Sequence, residues 1–109
     1  MVTKQTFSSF DDMLATSEQP VLIDFYAPWC GPCQLMATIL KEVNAQLGER
    51  LRIVKINTDN YPAIASQHDI QALPTLVLFK DGQPIERIEG VVRSHQLIPH
   101  LTSLLDDAS

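Results

Sequence analysis

Cys30 and Cys33 are the only two thiols in this 109-residue chain, and only Gly31 and Pro32 separate them. Cysteines at this spacing, in the first turn of a helix, can close a disulfide with little backbone movement. Cys30 would stand at the helix N-terminus, where unpaired N–H groups and the positive end of the dipole stabilise a thiolate. Cys33 would lie one turn further in and be more shielded. That asymmetry suggests an order of events in which Cys30 attacks a partner's disulfide and Cys33 resolves the mixed disulfide. Pro32 has no N–H to leave unpaired and helps fix the helix start. A purely structural disulfide is the first alternative, but so short a loop gains little from a crosslink. A zinc site is the second. It would need His68, His95 or His100 to complete the ligand set, and none of them has the paired spacing that such sites use.

Asp24 is the only charge in the apolar run Val21-Leu22-Ile23-Asp24-Phe25-Tyr26. Burying a carboxylate is costly and raises its pKa, unless it faces a polar crevice or a pairing cation. Lys55, alone among Ile53, Val54 and Ile56, is the natural partner. From Tyr26 to Leu40 no residue is charged. A neutral, apolar rim around a nucleophile suits a variety of protein partners better than one charged small molecule. The three histidines read as surface or helix-face residues.

The elements that must position these groups follow from periodicity and punctuation. Ser8 and Ser9 are candidate caps for a short helix with Phe10, Met13 and Leu14 on its apolar face, and Ser8 with Asp11 resembles a capping box. The apolar run at Val21–Tyr26 predicts a strand buried on both faces. Cys33 to Leu47 predicts a helix with Leu35, Met36, Ile39, Leu40, Val43 and Leu47 at helical spacing, closed by Gly48 in a left-handed cap. Leu51 to Ile56 predicts a second buried strand, and Tyr61-Pro62 a helix start whose helix fades near His68. Thr75 to Phe79 predicts a strand, with Asp81-Gly82 turning into an edge partner that carries Pro84. The last helix carries Leu97, Ile98, Leu101, Leu104 and Leu105. Either its first turn is distorted around Pro99 or its regular part begins there. Long helices between buried strands imply right-handed crossovers and helices on both faces of a mixed sheet, an α/β architecture.

Length and composition bound the rest. The chain is one domain's worth, residues 1–109, with 45% hydrophobic residues and a formal net charge of −5. An acidic chain with no basic cluster is a poor match for nucleic acid or an anionic membrane. No apolar run approaches the ~18 residues of a membrane-spanning helix, and the N-terminal residues carry no secretory h-region.

Trp29-Cys30-Gly31-Pro32-Cys33, set within Asp24-Phe25-Tyr26-Ala27-Pro28-Trp29, resembles the active-site signature of the thioredoxin family. Ala72-Leu73-Pro74-Thr75 and Phe79-Lys80-Asp81-Gly82 follow at similar positions, so the likeness runs nearly end to end. The resemblance implies a five-stranded mixed sheet flanked by four helices. It implies a protein-disulfide reductase with no cofactor and no metal, recharged by an NADPH- or ferredoxin-linked thioredoxin reductase. It further implies disulfide-containing protein targets, a monomer, and a cytoplasmic setting or, for a processed form, an organelle stroma. Asp24 would relay a proton for Cys33, directly or through water, with Lys55 tuning it. Pro74 would be cis, with Leu73 pairing its backbone to an extended substrate. Trp29 would both pack and contact substrate, Gly90 would admit the substrate chain, and Val91 would add apolar surface. Two alternatives stand beside this: a redox-independent binding subunit, and an isomerase- or oxidase-type domain on the same fold. Two departures are visible. Gln34 stands where many family members carry lysine, and Thr38 replaces a helix proline, so the long helix is expected to be straighter.

Overall fold

The computed structural model describes residues 7–107. Its elements run α1 (Phe7–Thr16), β1 (Val21–Tyr26), α2 (Gly31–Leu47), β2 (Arg52–Asn57), α3 (Pro62–Gln67), β3 (Thr75–Lys80), β4 (Gln83–Glu89) and α4 (Ser94–Asp107). The sheet order is β2-β1-β3-β4. β1 and β2 are parallel, joined by the α2 crossover, while β3 runs antiparallel to β1 and β4 antiparallel to β3. The mixed α/β architecture with four helices is as expected. Four strands are present among the described residues, against the five implied by the resemblance; residues 1–6 lie outside the description.

Side chains alternate across the pleat and divide the core in two. Leu22, Leu76 and Leu78 face α2 and α4, where they meet Met36, Leu40, Val43, Leu97 and Leu101. Val21, Ile23, Phe25, Val77 and Phe79 face the other way, against Phe10 and Leu14 of α1 and Ile64 of α3. Each large side chain buried this way contributes about 1.5–3 kcal/mol of transfer free energy. This partition places Asp24, two residues from Leu22, on the α2/α4 side of the sheet.

Several local expectations change. Ser8 and Ser9 stand inside α1 rather than before it, and the side chain of Ser8 lies outside the described residues. Leu35 is turned about 100° away from the buried stripe of α2 and is exposed. Gly48 is right-handed, with φ −63° and ψ −20°; it is suited by space instead, since a Cβ would come within 2.5 Å of the Asn44 carbonyl oxygen. β2 is only partly buried because it is the outermost described strand on its side, with Arg52 and Lys55 exposed. The Asp81-Gly82 hairpin forms with both residues at positive φ, 52° and 80°, as a type I′ turn requires. The β3/β4 hairpin carries a register shift at Leu78/Phe79. α2 runs unbroken through Thr38, and α4 runs from Ser94 straight through Pro99.

His68 departs most from expectation. It is not a surface histidine: its ring lies 5.5 Å from Phe10, 5.4 Å from Phe79 and 6.0 Å from Phe25 between ring centroids. Its Nε2 is buried without a hydrogen-bond partner, and burial pushes its pKa below the usual 6.5. The three phenylalanines come from three different elements, so no short-range pattern around His68 announces the cage.

Candidate active site

The C-terminal ends of the parallel strands β1 and β2 share one edge of the sheet, where open α/β sheets commonly place their ligands. β1 leads there into Ala27–Cys30 and α2. Cys30 is the residue before the first turn, in extended conformation (φ −92°, ψ 109°), with Pro32 inside that turn. Its Sγ accepts a hydrogen bond from the Cys33 backbone N–H at 3.2 Å, so the sulfur itself caps the helix. The two cysteines form a disulfide with Cα atoms 5.2 Å apart. Their exposure is nearly equal, 5% for Cys30 and 3% for Cys33, so Cys33 is scarcely the more shielded by area. What separates them is access: Cys30 lines an open cleft of about 450 Å³, whereas Cys33 is not part of its lining.

One wall of that cleft is the loop Trp29 to Pro32; the other comprises Thr58, Ala65, Ile70, Gln71 and Leu73. Trp29 is 72% exposed, a presented side chain rather than a packed one. Its Nε1 donates to Asp59 Oδ2 at 3.1 Å, and the Asp59 backbone N–H donates to Asn57 Oδ1 at 2.9 Å. Leu73 packs against Ala27, Cys30 and Cys33. The Leu73–Pro74 bond is cis. Thr75 Oγ1 donates to the Ala72 carbonyl at 2.6 Å, and the Gly90 N–H donates to the Pro74 carbonyl at 2.8 Å. Gly90 has φ 85°, with open space where a Cβ would stand. Pro74, Gly90 and Val91 therefore back the wall without lining it; Val91 packs half-buried against the α2/α4 core.

Asp24 is fully buried, and neither carboxylate oxygen has a hydrogen-bond partner. Burial raises its pKa to about 6, against the opposing pull of the Lys55 charge. Lys55 is its neighbour across the β1/β2 pairing. Lys55 does not form the expected ion pair: its Nζ lies over the Tyr26 ring, 4.8 Å from the centroid.

Sequence reading missed Asp59, Thr58, Ile70 and Gln71. The polar run Asn57-Thr58-Asp59-Asn60, which starts on the last residue of a parallel strand, was the available signal, because that end of the strand shares its edge with Cys30.

The thioredoxin family model matches residues 1–103. The chain belongs to the thioredoxin family. Among its thioredoxin relatives, a thioredoxin-like protein of Synechocystis is 58% identical over 93% of this chain and 96% of its own length. Thioredoxin Y of rice chloroplasts is 53% identical over 96% of this chain, which spans 62% of that protein. Thioredoxin Y1 of Arabidopsis chloroplasts is 52% identical, with 59% of its length covered. A solved chain is similar with a TM-score of 0.78 at 32% identity, covering 94% of this chain and 90% of that one. It comes from work on thiol resolving in a yeast mitochondrial 1-Cys peroxiredoxin via the glutathione and thioredoxin systems. Within the thioredoxin family, the Cys30–Cys33 pair makes this chain a dithiol–disulfide oxidoreductase. No helix among the described residues is long and apolar enough to cross a membrane.

Proposed function

We propose that the chain reduces protein disulfides, with Cys30 as nucleophile and Cys33 as resolving thiol. The observation that carries this is access: in the Cys30–Cys33 disulfide, only Cys30 lines the cleft. In the reduced protein the Cys30 thiolate attacks one sulfur of the target disulfide. That S–S bond breaks, a mixed disulfide forms, and the first target thiolate leaves and takes up a proton. Asp24 then accepts the Cys33 proton, directly or through water. The Cys33 thiolate attacks Cys30 Sγ, releases the second target thiol and closes Cys30–Cys33. Two electrons and two protons have passed to the target. A thioredoxin reductase, NADPH- or ferredoxin-linked, returns two electrons to the pair.

A carboxyl with a pKa near 6 suits the relay, since it is largely ionised at neutral pH and still basic enough to hold a proton. Lys55 tunes it by charge. Trp29 and Leu73 contact the target, Gly31 and Pro32 hold the loop, Leu73 offers its backbone to an extended target segment, and Gly90 and Val91 flank it. The cyanobacterial and chloroplast relatives favour a cytosol or stroma, where the protein acts as a monomer. The reducing direction is supported by Gly31-Pro32, which supplies no cation to stabilise the dithiol form. A potential as oxidising as that of a disulfide oxidase, measured against glutathione, would overturn it.

The test of the chemistry is insulin reduction with dithiothreitol as electron source. Cys30→Ser abolishes it, whereas reduced Cys33→Ser mixed with oxidised insulin in the absence of dithiothreitol traps a covalent adduct through Cys30, which dithiothreitol added afterwards releases. Undiminished insulin reduction by Cys30→Ser would end this reading.

A further inference from the structure

The cleft wall opposite Cys30 is built on the C-terminus of α3, and the local sequence supports that turn poorly. Asp69 N–H donates to the Ser66 carbonyl at 3.1 Å and Ile70 N–H to the Ala65 carbonyl at 3.0 Å. With Asp69 at φ 55°, this is the bond pattern of a Schellman ending, whose left-handed position is usually glycine. Most side chains are disfavoured there, and Asp is tolerated because its short polar group can bond locally. The side chain is partly used, since Gln71 Nε2 donates to Asp69 Oδ1 at 3.0 Å. The turn still leaves the His68 and Asp69 carbonyls without donors from their own helix, as helix ends do.

Arg87 of β4 supplies those donors. Its guanidinium donates from Nη1 to the Asp69 carbonyl at 3.3 Å and from Nη2 to the His68 carbonyl. The next three residues of the chain include Ile70 and Gln71, which line the cleft, with Leu73 one residue further on. Gly90, the residue directly after β4, holds the far end of the same wall, its N–H donating to the Pro74 carbonyl. β4 and the residue that follows it therefore hold the wall at both ends, by a side chain at one and by backbone at the other.

We propose that Arg87 is a positioning residue for target binding, holding the 69–73 wall against the Trp29–Cys30 wall. It touches neither sulfur, so it acts on capture of a protein target and not on sulfur chemistry. This deepens the reductase reading and rests on it.

The test is single-turnover reduction of oxidised insulin by the fully reduced chain, followed by Trp29 fluorescence over rising insulin concentration. Reduction of 2-hydroxyethyl disulfide, too small to need the far wall, runs alongside. Arg87→Met keeps the stem and removes both donors. It should raise the half-saturating insulin concentration about three- to tenfold, what one or two net hydrogen bonds are worth. The plateau rate and the small-disulfide rate should stay within about twofold of the parent. Arg87→Lys, which keeps a donor and the charge, should recover much of the affinity. An unchanged half-saturation in Arg87→Met overturns the proposal, and so does a parallel loss on the small disulfide, which would mark a general folding defect. If the parent chain reduces neither disulfide, the reductase reading itself has failed.

Discussion

Asp24 and Lys55 stand directly opposite one another in the parallel pairing of β1 and β2, yet their charges do not meet. The ammonium lies over the Tyr26 ring, 4.8 Å from its centroid, while the carboxyl stays buried with both oxygens unpartnered. A full ion pair would hold Asp24 ionised and too weakly basic to take a thiol proton. A cation kept at one remove leaves burial in command, and the carboxyl pKa rises to about 6.

Asp24→Asn should therefore change stability and chemistry in opposite senses. The folded pKa of about 6 exceeds the ordinary 3.8, so the folded state binds more protons than the unfolded between those values. Stability falls as pH rises through that window and stays lowered above it. Removing the carboxyl should raise stability at pH 8 by up to about 3 kcal/mol relative to the parent chain. Denaturant unfolding of both proteins at pH 4 and pH 8 reads the difference. Resolution of the mixed disulfide should slow at the same time; equal rates in both proteins across pH 5–9 would remove the relay.

Lys55→Met should shift the Asp24 titration upward. The ammonium is the one influence acting against burial at this carboxyl, so its loss leaves desolvation unopposed. Carboxyl NMR of the reduced protein should place the midpoint above 6, with the rate of resolution following the same shift.

Acid sensitivity should be traceable to His68. Its folded pKa lies below 6.5, the effect of burial, with Arg87 pushing the same way and Asp11 against it. Below pH 6.5 the unfolded chain therefore binds the additional proton, and stability drops as pH falls until the folded histidine also protonates. His68→Phe should flatten that acid limb relative to the parent, because the new ring fits the aromatic cage without a titrating nitrogen. Superimposable stability curves between pH 4.5 and pH 7 would contradict this.

Gly90→Ala isolates a backbone effect. Nothing stands within 4 Å of a Cβ at this position, but φ is 85°. The cost is therefore conformational rather than steric crowding, about 1–2 kcal/mol. Thermal or denaturant unfolding checks it, and a larger loss would point to a displaced Pro74 contact.

The legible and illegible parts of this molecule divide by range. The Cys30/Cys33 spacing, the Pro32 helix start and the Asp81-Gly82 turn were readable because each depends on a few adjacent residues. β1 was readable because burial on both faces leaves an unbroken apolar run. The His68 cage was not, since Phe10, Phe25 and Phe79 come from three elements that meet only after folding. Leu35 and Leu47 looked equivalent by spacing, but the sheet covers only one stripe of α2. Apart from Leu73, which the resemblance singles out, the second cleft wall escaped because no residue in it is chemically conspicuous. Ile70 and Gln71 matter only for where a turn and a distant arginine place them.

Cys33's absence from the cleft lining has a further consequence. In the proposed cycle a target's sulfur meets Cys30, the sulfur that lines the cleft, and the inner sulfur is left to its neighbour. A captured target is thus always within reach of an internal displacer that no competing molecule in solution can easily occupy. Release by that route is first order, paced by the protein, and does not require a thiol from its surroundings. A single open sulfur without such a hidden partner would leave each captured target waiting for an outside thiol.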